Sequence, residues 1–189
     1  MTMCRRRLPS AAAAALVLFS ALTVHAQPAA RSEYEIKAAY LFTFAKFVDW
    51  QARAGRDDST YTICILGPDP FGPVLDSTLN GVSIRGREVG ARRLPADDAS
   101  TSGCHIVFVG AAEERSVNAI VAPLTQEGVL TVSDMPRFAE RGGMIQFVTL
   151  ANRVRFEINL SAAHDAGLTM SSELLRVASA VRNGRRVQE

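Results

Sequence analysis

The segment that carries most information about the fold is residues 104–132, CHIVFVGAAEERSVNAIVAPLTQEGVLTV. It begins with a mostly apolar run, Cys104 to Val109, that has the length and composition of a buried strand. Residues 113–126 have the pattern of a helix with acidic side chains in its first turn, and residues 129–132 are a second short apolar run. A strand, a helix and a strand in this order are typical of an α/β fold.

The chain before this segment continues the alternation of strands and helices. Residues 61–66 form an apolar run typical of a central strand, and residues 73–79 predict a short helix. Strand material follows over 82–94 and is broken at Gly86. Further upstream, residues 32–50 predict a helix that is apolar nearly all round. Such a helix is either buried on several sides, which is the favoured interpretation, or in contact with a partner.

Apolar and polar side chains alternate in residues 154–160, which is the pattern of a half-buried strand. This strand and residues 144–150 predict the two arms of a hairpin. Two helices near 161–166 and 172–181, joined at Gly167, complete the chain, and Ser172 is the expected N-cap of the second. We therefore predict a single domain with a mixed β-sheet flanked by helices on both faces.

The first 26 residues have the layout of a secretory signal peptide. Arg5 to Arg7 precede an apolar run from Ala11 to Val24, and a small-x-small pattern ends at Ala26. The run is shorter than a membrane-spanning helix, although an uncleaved anchor is the alternative. We expect cleavage after Ala26, export of the mature domain of residues 27–189, and no membrane insertion after cleavage.

Removal of this segment changes the charge and the cysteine count. The formal net charge of +2 becomes −1, because residues 1–26 hold three of the 21 Lys and Arg residues and none of the 19 Asp and Glu residues. The sequence therefore gives no reason to expect a nucleic-acid partner. Cys4 is removed, and Cys64 and Cys104 remain, one in each predicted strand. An oxidising compartment favours a disulfide between them, and two buried free thiols are the alternative.

Motifs for catalysis and metal binding are not found in the sequence. His105 and His164 lie far apart, and neither the spacing of a zinc site nor a GxSxG nucleophile turn occurs. We predict no catalytic residues, no metal site, no cofactor and no enzymatic activity.

Short motifs follow one another through nearly the whole mature chain. They are Lys37-Ala-Ala-Tyr-Leu-Phe-Thr-Phe-Ala-Lys-Phe-Val-Asp-Trp50, Ile63-Cys-Ile-Leu-Gly67, Asp69-Pro-Phe-Gly72, Gly86-Arg87, Cys104-His-Ile-Val-Phe-Val109, Gly142-Gly-Met-Ile145, Val154-Arg-Phe-Glu-Ile-Asn-Leu160, Ala166-Gly-Leu168 and Ser171-Ser-Glu-Leu-Leu-Arg176. This ordered set resembles the YfiR family of bacterial periplasmic proteins.

The resemblance implies a periplasmic repressor without enzymatic activity. Such a protein binds the periplasmic region of an inner-membrane diguanylate cyclase, holds it inactive, and thereby lowers cyclic di-GMP and restrains biofilm growth. The resemblance also implies an α/β fold, a tendency to form homodimers, and redox sensitivity. Cys64 and Cys104 match the positions of a family disulfide, whereas the second pair of some members is missing from this chain.

Two hypotheses about binding follow. As a repressor, the protein would bind its partner through apolar side chains near the first helix, namely Tyr40, Phe44, Phe47 and Trp50. As a periplasmic small-solute-binding module, which is the alternative, it would use the crevice at the carboxyl ends of the parallel strands, near Gly67 to Phe71 and Gly110.

Overall fold

The structure is a computed structural model that describes residues 28–50, 59–95 and 100–183. The predicted signal peptide, residues 1–26, lies outside these ranges. Within them, no helix combines the length and the apolar character needed to cross a membrane.

Helices and strands alternate along most of the described chain. In chain order the elements are α1 (Pro28–Phe47), β1 (Val48–Trp50), β2 (Thr60–Leu66), α2 (Pro73–Leu79), β3 (Ser83–Ile84), β4 (Arg87–Leu94), β5 (Ile106–Val109), α3 (Val117–Gln126), β6 (Leu130–Ser133), β7 (Ile145–Leu150), β8 (Arg153–Asn159), α4 (Leu160–Asp165), β9 (Leu168–Met170), α5 (Ser172–Val177) and β10 (Ala180–Arg182). Short 3-10 helices occupy Ala111–Glu113 and Ala139–Arg141.

Eight strands form the main sheet in the order β10-β8-β7-β6-β5-β2-β4-β3. Strands β4, β2, β5, β6 and β7 are parallel neighbours, whereas β7 and β8 form the predicted antiparallel hairpin. Strand β3 pairs antiparallel with β4, and β10 pairs parallel with β8. The predicted fold class, a single domain with a mixed sheet, is confirmed.

The two faces of the sheet carry separate cores because side chains alternate along each strand. In β2, Ile63 and Ile65 face the larger core beneath α1 and α2, whereas Cys64 and Leu66 face the smaller core beneath α3. The same alternation in β5 places Phe108 in the larger core. Helices therefore cover both faces of the sheet, as the sequence predicts.

The first helix ends earlier than the prediction of residues 32–50. Helix α1 stops at Phe47, and β1 pairs antiparallel with β9, with Val48 opposite Met170 and Trp50 opposite Leu168. The backbone N–H of Ser171 also donates to Phe47 O at 2.9 Å. Helical periodicity continues through Trp50, but pairing with a distant strand satisfies the backbone of the last three residues instead.

The region after the hairpin also differs from the prediction of two adjoining helices. Strand β9 separates α4 from α5, and α5 ends at Val177 because the following residues pair with β8 as strand β10. The N-cap of α5 is Ser171 rather than Ser172, since the Ser171 side chain accepts a hydrogen bond from Leu174 N at 3.2 Å. Both added strands depend on partners that local periodicity does not reveal.

Gly143 lies where the chain turns into β7, against the fully buried ring of Phe138. A Cβ atom at this position would overlap the Phe138 ring. We expect Gly143→Ala to lower the free energy of unfolding by about 2 kcal/mol, because a packed ring has to move. Chemical denaturation measures this loss.

The matched control is Gly90→Ala in β4, where an added Cβ would contact only Thr60 Cγ2 at 3.9 Å. Its free energy of unfolding should change by less than about 1 kcal/mol. Equal losses in the two variants would contradict the explanation by overlap.

Candidate functional site

The structure separates the four side chains that the sequence predicts as partner contacts. Phe44 is fully buried on the sheet side of α1, with its ring centroid 5.0 Å from that of Phe156 and 5.8 Å from that of Phe147. A partner docked on the outside of α1 cannot reach this ring. Phe44 therefore belongs to the core, which is the favoured of the two interpretations of this helix.

Tyr40 covers the aromatic cluster from the solvent side. Its ring is half-buried and lies 5.2 Å from the Phe156 ring and 5.9 Å from the Phe44 ring. One turn earlier, Ile36 is 45% exposed. Phe47 is half-buried near the end of the helix, where the Lys46 ammonium lies 5.9 Å from its ring centroid. The outer surface of α1 is thus partly apolar where Ile36 and Tyr40 adjoin the aromatic cluster.

Trp50 lies in β1, outside the helix, and belongs to a different cluster. Its ring packs against Tyr61 at 5.7 Å and His105 at 6.0 Å. The Arg87 guanidinium lies over the Tyr61 ring at 3.8 Å, and its Nη2 is 3.1 Å from His105 Nε2. Thr62 N donates to the other ring nitrogen of His105 at 3.2 Å. His105 is therefore a packed residue between two strands.

A buried lysine holds α1 against the carboxyl end of β6. Lys37 is only 4% exposed, and its Nζ lies 2.7 Å from both Glu33 Oε1 and Asp134 Oδ2. The Tyr34 hydroxyl donates to the same Asp134 oxygen at 3.0 Å, and the Tyr34 ring lies 4.3 Å from the ammonium. A pocket of about 380 Å³ opens beside these groups and the first residues of β7.

The protonation of Lys37 follows from two opposing effects. Burial lowers its pKa, but hydrogen bonds to Asp134 and Glu33 outweigh burial, so the pKa is raised above its ordinary value of 10.5. Burial also raises the pKa of Tyr34, and the nearby Asp134 carboxylate raises it further. Lys37 is thus charged and Tyr34 neutral at neutral pH. Sequence analysis missed this group, since a lysine in an apolar helix does not indicate a partner 97 residues away in the chain.

A disulfide joins Cys64 in β2 to Cys104, which lies just before β5. The two Cα atoms are 5.9 Å apart, and both residues are buried in the smaller core beneath α3. Arg92 Nη2 lies 3.1 Å from Cys104 Sγ and also donates to Ser102 O at 2.6 Å. The bond therefore links two neighbouring strands at a point that solvent does not reach.

The crevice of the small-solute hypothesis is largely occupied by the chain itself. Gly67 N donates to Leu94 O at 3.0 Å, and Gly110 N donates to Leu66 O at 3.1 Å. The Glu113 side chain lies against Gly67, and Phe71 is buried against Phe108 with ring centroids 4.9 Å apart. These two backbone donors are therefore not available to a ligand. In the part of the chain that the structure describes, no three His, Cys, Asp or Glu side chains gather as a candidate metal site.

Comparison with known proteins gives one family and a shared fold. The family model described as YfiR/HmsC-like matches residues 34–179. A crystal structure described as a conserved domain protein from Vibrio cholerae O1 biovar El Tor has 9% sequence identity and a TM-score of 0.55, and the match covers 77% of this chain and 60% of that one. A second solved structure, described as the ABC domain in complex with L-Trp from Streptococcus pneumonia, has 13% identity and a TM-score of 0.50, with 81% and 60% covered. The chain thus spans about 60% of the length of both structures, and at these identities the similarity concerns the fold.

Proposed function

Because the chain belongs to the YfiR/HmsC-like family, we propose that it is an exported periplasmic regulator that binds the periplasmic region of an inner-membrane diguanylate cyclase and represses it. Family membership by itself points to a periplasmic regulator of cyclic di-GMP signalling that acts without catalysis. Repression of a cyclase and redox sensitivity are the finer parts of the proposal.

The family match over residues 34–179 is the observation that carries this proposal. It begins within α1 and runs through α5, so that it includes the aromatic cluster beneath α1, the pair of Lys37 and Asp134, and both cysteines of the disulfide. A repressor of this kind needs a higher affinity for the inactive state of its partner, and it needs no catalytic group.

We place the partner contact on the outer surface of α1. Ile36 and Tyr40 offer apolar area there, and Phe47 extends it toward the end of the helix. Phe44 packs beneath Tyr40 in the core and is not part of this surface. Trp50 lies outside the helix, in β1, which follows the end of α1. Half-buried aromatic side chains of this kind are common anchors at protein interfaces.

Export is part of the same proposal, with residues 1–26 as signal peptide and residues 27–189 as the mature domain. In the periplasm the Cys64–Cys104 bond is maintained, because that compartment is oxidising. A homodimer is compatible with the proposal, as one copy or two can present the α1 surface.

The proposal is tested by measuring cyclic di-GMP in the source bacterium. Deletion of the gene should raise the level of cyclic di-GMP, and expression of the wild-type chain in the deletion strain should lower it again. Expression of Ile36→Arg should lower the cyclic di-GMP level much less, because the variant places a charge within the apolar contact surface. A tagged wild-type chain should copurify with a membrane diguanylate cyclase.

The matched control is Asn118→Arg, since Asn118 is exposed on α3 at the opposite face of the sheet. Expression of this variant in the deletion strain should lower the cyclic di-GMP level as much as the wild type does. An unchanged cyclic di-GMP level on deletion would contradict the repressor function. Equal activity of the two arginine variants would contradict only the α1 surface.

A further inference from the structure

Among the described residues, no strand covers the outer edge of β4 over most of its length. Strand β3 is two residues long and pairs only with Arg87 and Glu88. From Gly90 to Leu94, none of the described strands lies on the side of β4 that faces away from β2. An edge of this kind presents backbone donors and acceptors to any polypeptide that can lie beside it.

Two hydrogen bonds show which backbone groups point outward. Val89 N donates to Val82 O on the outer side of β4, whereas Leu94 O accepts from Gly67 N on the β2 side. Because backbone direction alternates along a strand, Ala91 and Arg93 direct their N–H and C=O groups outward, as Val89 does. An added strand would therefore find a regular set of partners at every second residue.

A groove of about 690 Å³ lies beside this edge, between α2, β3 and β4. Its apolar lining consists of Leu79, Val82, Val89 and Ala91, and polar residues, with Asp76 and Glu88 among them, line the remainder. Side chains of an added strand that point to the α2 face would enter the groove. Apolar residues at every second position suit these walls.

The opposite face of the same edge exposes an arginine. Arg92 is exposed on the α3 side, and its described contacts are the carbonyl oxygens of Ser100 and Ser102 and the sulfur of Cys104. No carboxylate of the described residues forms an ion pair with it. Arg93, in contrast, is paired with Asp69 and Asp76 on the α2 side. A strand added here thus meets an arginine whose described partners are two backbone carbonyl oxygens and a sulfur.

We propose that Gly90–Leu94 binds an extended segment of a partner protein by strand addition. That segment alternates apolar side chains, which enter the groove, with an acidic side chain opposite Arg92. This surface is separate from the α1 surface of the proposed function and does not depend on the identity of the partner.

A second copy of this chain is a poor occupant of the edge. Antiparallel pairing of two β4 strands over their five uncovered residues has its centre at Arg92. The two Arg92 side chains, one from each copy, would then lie directly opposite each other, and like charges at this position destabilise a pair of strands.

The test uses capped peptides of about seven residues that alternate valine with glutamate or valine with lysine, titrated into the isotope-labelled chain purified from the periplasm. The glutamate peptide should shift the amide resonances of Gly90–Leu94 saturably. The lysine peptide should bind at least about tenfold more weakly. Equal affinities, or shifts confined to other residues, would overturn the proposal.

Ala91→Pro removes the outward N–H and leaves the hydrogen bonds to β2 in place, because proline is tolerated on the open side of an edge strand. It should weaken binding of the glutamate peptide at least about tenfold, whereas Ala91→Val, which keeps the donor, should bind as the wild type does. Melting curves verify that both variants fold. Undiminished binding by a folded Ala91→Pro chain would refute strand addition.

Charge reversal provides a second variant that does not depend on proline. Arg92→Glu should bind the lysine peptide more tightly than the glutamate peptide, since the favoured charge opposite this position is exchanged. If Arg92→Glu still bound the glutamate peptide more tightly than the lysine peptide, the proposed role of Arg92 would be wrong. Sedimentation velocity identifies self-association, and a dimer that Ala91→Pro abolishes would assign the edge to a second copy instead.

Discussion

Replacing Lys37 with methionine is expected to lower the free energy of unfolding by about 3 kcal/mol, because it leaves a carboxylate without its cation in a poorly solvated position. Lys37 is 4% exposed, and the side chain of Asp134 is 15% exposed. Because methionine preserves most of the side-chain volume, the decrease in free energy of unfolding reflects removal of the charge and not creation of a cavity. Denaturant unfolding at neutral pH measures it.

The matched control is Lys46→Met on the same helix. Lys46 is exposed, and among the described residues its ammonium lies near the ring centroids of Phe42 and Phe47, at 5.7 and 5.9 Å. Its replacement should change the free energy of unfolding by less than about 0.5 kcal/mol. A double-mutant cycle with Asp134→Asn should give a coupling energy above about 1 kcal/mol. Additive losses would contradict the ion-pair explanation.

The pH dependence of this effect has a definite sign. The folded pKa of Lys37 lies above 10.5, so the folded state favours the charged form. The stabilisation is therefore complete below pH 10.5 and is lost as the pH rises through the folded pKa. The difference in free energy of unfolding between wild type and Lys37→Met should be constant from pH 7 to 9 and decrease above pH 10.5. If this difference in free energy of unfolding decreased as the pH rose from 7 to 9, Lys37 would not be charged over that range.

Removal of the disulfide should have an effect of similar size. The bond closes a loop with a sequence separation of 40, for which the chain-entropy model gives a stabilisation of about 4 kcal/mol. We expect Cys64→Ala with Cys104→Ala to lower the melting temperature by roughly 10 °C, at about 2–4 °C per kcal/mol for a domain of this size. Differential scanning calorimetry measures the shift.

The control for this prediction is a reducing agent. It should lower the melting temperature of the wild type toward that of the double variant and leave the double variant unchanged. A wild type that is insensitive after complete reduction would contradict a stabilising role. The level of cyclic di-GMP in cells that produce the double variant tests the regulatory role separately. If the bond has only a structural role, a double variant that remains folded should still repress the cyclase.

The candidate site shows the limits of sequence reasoning most clearly at α1. Its aromatic residues are visible in the sequence, but the sequence cannot distinguish Phe44 from Tyr40, which are four positions apart on one helix face. The difference arises because Phe156 and Phe147 fill the space beneath Phe44, and Tyr40 lies at the margin of the same cluster. The importance of Lys37 likewise depends on Asp134, 97 residues away.

The disulfide is an intermediate case. Two cysteines in separate strand-like runs suggested a bond, because an oxidising compartment and one possible pairing leave few alternatives. Only the adjacency of β2 and β5 brings the two Cα atoms to 5.9 Å, and that adjacency results from the order of strands in the sheet.

What the sequence by itself determined is the set of local patterns: the apolar runs of β2 and β5, the alternation in β8, and the short helix at Pro73–Leu79. Each follows from backbone geometry that repeats within a few residues. Tertiary structure alone decided that Val48–Trp50 is a strand, that Lys37 is a buried cation and that no described strand covers β4 from Gly90 to Leu94. These properties depend on which distant segments become neighbours, and local periodicity does not encode that choice.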